Sequence, residues 1–209
     1  MNTIASWIDK HAEFQPEKAA LIYEGRVIAY AEFARRISDT ARMLKHRMGV
    51  GRGDRVAYLG YNSPEFLILL FACARLGALF LPLNWRLAGP EHVYILKDAA
   101  VKVLVVEVGF REQAESYREH LTDCEFVASR FETSRTADFW SPMAELIEGI
   151  EGDAENPHVT EENPLLLVYT SGTTGRPKGA LLTQKALFYN PLNSLHLHHP
   201  SAPHLVPPV

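Results

Sequence analysis

Residues 55–83, RVAYLGYNSPEFLILLFACARLGALFLPL, constrain the fold more than any other part of the chain. The final eighteen of them are almost wholly apolar and approach the length of a bilayer-spanning helix. Three features oppose a span. Arg75 would lie near the hydrocarbon centre, at a cost of about 2.5–3.5 kcal/mol on insertion scales. Asn62-Ser63-Pro64-Glu65 reads as a helix N-cap followed by proline in the first turn. Gly77 reads as a helix stop. The segment therefore divides into a strand (55–59), a buried helix (64–76) and a second strand (78–82). Strand–helix–strand implies neighbouring parallel strands with a right-handed crossover. An all-apolar helix and strand need cover on both sides, which points to an α/β fold with a mostly parallel sheet flanked by helices.

The flanking segments extend this alternation. Residues 3–13 have an amphipathic helical pattern, and 19–30 form a hairpin turning at Glu24-Gly25. Phe33, Ile37, Ala41, Leu44 and Met48 share one helical face that Gly49 closes. Arg35, Arg36, Arg42, Lys45 and Arg47 interleave with that face and read as its solvated side. Pro90 opens a helix ending near Ala100, and VKVLVVE (101–107) is a β-branched strand. A polar helix (110–121), a strand around 125–128 and a short helix (142–149) follow. From Glu145 to Glu162 there are seven acidic residues and no lysine or arginine, which reads as an exposed connector. PLLLVYT (164–170) is the next strand.

Composition narrows the function classes. With 209 residues, 47% hydrophobic and 22% charged, the chain is of ordinary globular make-up. A net charge of −4 argues against a nucleic-acid partner. Cys73 and Cys124 stand far apart, and no basic-then-apolar leader opens the sequence, so a reduced, cytoplasmic protein is expected.

The strand 164–170 runs into YTSGTTGRPKG (169–179), with four serine and threonine hydroxyls, three glycines and a lysine. Glycines let successive N–H groups converge on an anion, hydroxyls add compact donors, and Lys178 adds a mobile cation. The segment is not a Walker A loop, because Pro177 and not glycine precedes Lys178. It also fails the G-x-G-x-x-G and G-x-S-x-G patterns. By composition it reads as a phosphate-binding loop, with an ordinary hairpin turn as the alternative.

YTSGTTGRPKGALLTQ (169–184) closely resembles the phosphate-loop signature of the adenylate-forming, AMP-binding enzymes. Residues 49–106, with their GDRV, NSPEF, RLGA and PLN segments, resemble the same family's N-terminal region. Asn84-Trp85-Arg86-Leu87 followed by Pro90-Glu91 looks most like the acid–CoA ligase branch, and the likeness covers about residues 3–190. The resemblance implies an acid–thiol ligase acting on a fatty or aryl carboxylic acid with ATP, Mg2+ and CoA. It also implies that Thr170, Ser171, Gly172, Thr173, Thr174, Gly175 and Lys178 hold the β- and γ-phosphates.

The family's aromatic-Gly-x-Thr-Glu and Thr-Gly-Asp segments and its late adenylation lysine do not occur in the sequence. The expectation is therefore an N-terminal part, residues 1–190, that is catalytically incomplete on its own. The alternative is a non-catalytic remnant that binds nucleotide or a subunit. Apolar surface left uncovered in such a part would favour self-association. Residues 191–209 hold a cluster of prolines and histidines and read as a disordered or out-of-frame tail. His196, His198 and His199 are too crowded for ordered tetrahedral ligation and are not assigned to a metal.

Overall fold

In the computed structural model, residues 3–129, 140–170 and 176–197 are described, the last seven of them by backbone alone. The core is a seven-stranded sheet. Its first strands are β3 (Arg55–Leu59), β4 (Leu79–Pro82), β5 (Val103–Val106) and β6 (Glu125–Ala128). It is completed by β7 (Trp140–Pro142), β8 (Pro164–Thr170) and β9 (Lys178–Thr183), in the order β7-β6-β5-β3-β4-β8-β9. Every neighbouring pair is parallel except β8–β9, which is antiparallel. A separate hairpin pairs β1 (Ala19–Tyr23) with β2 (Arg26–Ala29). It turns at Glu24 and Gly25, both at positive φ, as a two-residue turn of matching twist requires.

The pleat sorts the strand residues onto two faces. Val56, Tyr58, Phe80, Val103 and Val105 pack under α2 (Tyr30–Arg42) and α3 (Pro64–Leu76). Ala57, Leu59, Leu81, Leu104 and Val106 pack under α4 (Gly89–Asp98) and α5 (Arg111–Glu115). Both faces are covered, as the continuous apolar strands demand. The eighteen-residue apolar stretch divides into α3 and β4, and no helix among the described residues is long and apolar enough to cross a membrane.

Gly77 ends α3 at φ 69°, and a Cβ there would lie 2.9 Å from the Val159 side chain. Backbone conformation and space both select glycine at this corner. Arg75 is 8% exposed and pairs with Asp9 of α1 (Ile4–Phe14) and with Glu155 at 3.6 Å.

Several elements differ from the sequence reading. Ser63 occupies the N-cap position of α3 without capping it. Its hydroxyl instead hydrogen-bonds the Tyr58 hydroxyl at 2.8 Å, leaving Pro64 to start the helix. The polar helix expected over 110–121 is broken into a 3-10 turn (Val108–Phe110), α5 and a second 3-10 turn (Arg118–His120). The Ser116 hydroxyl takes the Gln113 carbonyl at 2.7 Å, competing with the helical ladder. After α2 the chain unwinds into a wider π-turn, Met43–Arg47, before Gly49.

The acidic connector is not simply exposed. It follows α6 (Met143–Ile147) and buries Ala154 and Val159. Its charges meet cations from outside the segment, with Asp153 2.7 Å from Lys45 and Glu162 2.6 Å from Lys185. The chain beyond β9 also differs: α7 runs from Gln184 to Leu197, so the boundary expected at residue 190 falls inside a helix. Residues 198–209 lie outside the described residues.

Candidate functional site

The glycine-hydroxyl segment connects β8 to β9, an antiparallel pair, so it lies between the two strands of a hairpin. Of the predicted contacts, Thr170 and Lys178 are brought together as directly opposed residues in the antiparallel ladder. Tyr169 faces Gly179 and Val168 faces Ala180 one and two steps further in. Ser171, Gly172, Thr173, Thr174 and Gly175 lie outside the described residues. Thr170 and Lys178 are both exposed, and among the described residues the Lys178 ammonium forms no ion pair.

The base of this hairpin is firmly placed. Asn163, 5% exposed, accepts from the Thr160 amide at 2.7 Å and turns the connector into β8. Gln184, 1% exposed, donates to the Ala74 carbonyl at 2.9 Å and accepts from the Ile4 amide at 3.3 Å. Its own amide donates to the Asn163 carbonyl at 3.0 Å. A register shift between Pro164 and Leu166 sets Leu165 under the α3 face and Leu167 under the α4 face.

Glycine at 179 leaves room for two side chains to close over the strand. A Cβ there would lie 2.8 Å from Leu167 Cδ1 and 3.3 Å from two ring carbons of Tyr169. The Tyr169 hydroxyl donates to Asp98 Oδ2 at 2.6 Å. Burial first, and then the neighbouring carboxylate, push the phenol above its ordinary range, so it stays a donor at any physiological pH.

The hairpin tip stands at the carboxyl ends of the parallel strands, where open α/β sheets place ligands. The chain leaves β3 toward β4 on one side and returns to β5 on the other, making a switch point there. Tyr61, Trp85 and Phe110 gather at that end, with Tyr61 centroids 5.1 Å from Trp85 and 5.0 Å from Phe110. The Arg86 guanidinium sits 4.3 Å over the Trp85 ring. Below them Glu107 accepts from the Tyr61 amide at 2.9 Å and from the Tyr58 hydroxyl, which holds the β3–α3 corner. His92, fully buried, bonds the Tyr117 hydroxyl at 2.7 Å and the Asn84 carbonyl at 2.9 Å, which fixes the corner carrying Trp85. Desolvation lowers its pKa, partly offset by the Asn84 bond, so the ring is held neutral. The sequence reading missed this aromatic group because its members are spread over fifty residues and only the sheet order assembles them.

The chemistry available at the hairpin is anion binding. Residues 170–179 supply hydroxyls, amides and cations and contain no carboxylate.

Comparison with known proteins finds similar chains among CoA ligases. The chain is 49% identical over 201 residues to an indoleacetate–CoA ligase of Aromatoleum aromaticum, covering 95% of this chain and 38% of that protein. It is 38% identical over 192 residues to a feruloyl-CoA synthase of an Amycolatopsis species, covering 92% and 35%. Among solved structures, the anthranilate CoA ligase AuaEII in complex with anthranoyl-AMP superimposes with a TM-score of 0.79 at 27% identity. That match covers 88% of this chain and 35% of the ligase. The chain thus spans little more than a third of the length of these relatives. The family model for AMP-binding enzymes matches residues 8–204, and the chain belongs to that family.

Proposed function

We propose that the β8–β9 hairpin grips the β- and γ-phosphates of ATP for an acid–CoA ligase whose acid is an aromatic carboxylate. In that reaction a carboxylate displaces pyrophosphate from ATP, and the CoA thiol then displaces AMP from the acyl-adenylate. The observation that carries the reading is the opposition of Thr170 and Lys178 across a carboxylate-free segment of glycines and hydroxyls. Lys178 contributes charge neutralisation, and Thr170 with the turn amides contributes positioning, which are the main contributions a protein makes to nucleotidyl transfer. Mg2+ would neutralise the same phosphates when bound with ATP. The aromatic acid is supported by the names of the relatives, which act on indoleacetate, ferulate and anthranilate.

The test is competition calorimetry on the 209-residue chain. Tripolyphosphate is expected to displace Mg-ATP while adenosine does not, and Lys178→Ala is expected to weaken Mg-ATP binding about tenfold, the loss of one charge-assisted contact. Displacement by adenosine but not tripolyphosphate would overturn the phosphate grip.

A further inference from the structure

The outer half of the hairpin runs past its pairing with β4, though Leu167 and Tyr169 still pack against the core under α4. β8 meets β4 at the Phe80–Leu166 pair, and beyond it Leu167 to Thr170 are laddered to β9. β9 is the edge strand and is exposed from Lys178 to Leu182. A two-stranded ribbon of this kind twists readily and is marginally stable alone. Yet it carries Thr170 and Lys178, whose direction decides whether they meet the same phosphate group.

Among the described residues, one side-chain hydrogen bond ties this outer half to the rest of the molecule: that of Tyr169 to Asp98. Asp98 is the last residue of α4, at the negative pole of the helix, where a carboxylate is disfavoured. It forms no ion pair among the described residues. Helix energetics therefore do not account for it, whereas accepting the Tyr169 proton does. The ring of Tyr169 lies across Gly179, the neighbour of Lys178, so the same side chain touches both strands of the ribbon and α4.

We propose that Tyr169 is a positioning residue for nucleotide binding: its bond to Asp98 and its seat on Gly179 fix the angle at which the ribbon presents Thr170 and Lys178. The inference rests on the phosphate grip proposed above. Tyr169→Phe and Asp98→Ala remove the bond from its two ends, and Asp98 is exposed, so its variant leaves the core intact. Each is expected to weaken Mg-ATP binding by the 209-residue chain about fivefold, the size of one typical net hydrogen bond at an exposed site. The double variant is expected to bind no more weakly than either single one, because one bond is being removed twice. Amides of 167–170 and 178–181 should exchange with deuterium faster in both variants, with or without nucleotide.

Unchanged exchange in the variants overturns the latch whatever the nucleotide result. Faster exchange with wild-type affinity reduces the bond to a structural one and overturns the positioning role. Additive losses in the double variant contradict the shared bond. Failure of the phosphate grip itself has a different signature, namely wild-type Mg-ATP affinity in Lys178→Ala, and it overturns the positioning role while the exchange arm still reports on the bond.

Discussion

The base and the tip of the β8–β9 hairpin are held by different kinds of force. At the base, Asn163 and Gln184 are buried amides whose bonds join the connector, α1, α3 and β8. Among the described residues of the outer half, a phenol–carboxylate bond at the surface and the packing of Leu167 and Tyr169 under α4 steady a ribbon whose edge strand is exposed. A buried bond is costly to orphan, and a surface bond is cheap to open. The difference shows that buried hydrogen bonding ends before Thr170 and Lys178, the residues proposed to contact phosphate, and so sets them beyond a well-tied stem.

The contrast can be broken most forcefully at the base. Gln184→Ala would orphan the Ala74 carbonyl and the Ile4 amide, and is expected to lower unfolding stability by about 1–3 kcal/mol in urea titrations. At the tip, Lys178→Ala should change stability by no more than about 0.5 kcal/mol while lowering nucleotide affinity. A loss of stability at Lys178 equal to that at Gln184 would erase the distinction.

The smallest effect concerns the helix that receives the tip. Within its site His92 faces Tyr117, Glu91, Gln113 and the Asn84 carbonyl, and desolvation lowers its folded pKa below 6.5. The unfolded chain then binds the proton more readily, so stability is present at neutral pH and lost as pH falls below about 6.5. His92→Gln should flatten that part of the stability–pH curve, and an unaltered slope would assign it to another group.

The α/β architecture was legible because its signals are local. Pro64 and Gly77 punctuate α3, positive φ is needed at Glu24-Gly25, and the β-branched run 103–106 admits few alternatives. The site was legible as a motif and not as a geometry. Nothing local reveals that Tyr169 reaches Asp98 seventy-one positions away, or that Tyr61, Trp85 and Phe110 meet. Other misreadings have the same origin. Ser63 abandoned its cap for Tyr58, a partner that only the sheet supplies. The connector looked exposed because its cations, Lys45, Arg75 and Lys185, come from other segments. The three-residue β7 is too short to show a period, and it pairs with β6 through Trp140 and Phe126.

The most direct test of the account is hydrogen–deuterium exchange of the hairpin with and without saturating Mg-ATP. The account predicts slower exchange at the tip, Lys178 to Ala180, and unchanged exchange at the base, Leu165–Leu166 and Leu182–Gln184. Protection absent from the tip, or spread equally over tip and base, would contradict a phosphate grip carried by the end of this hairpin.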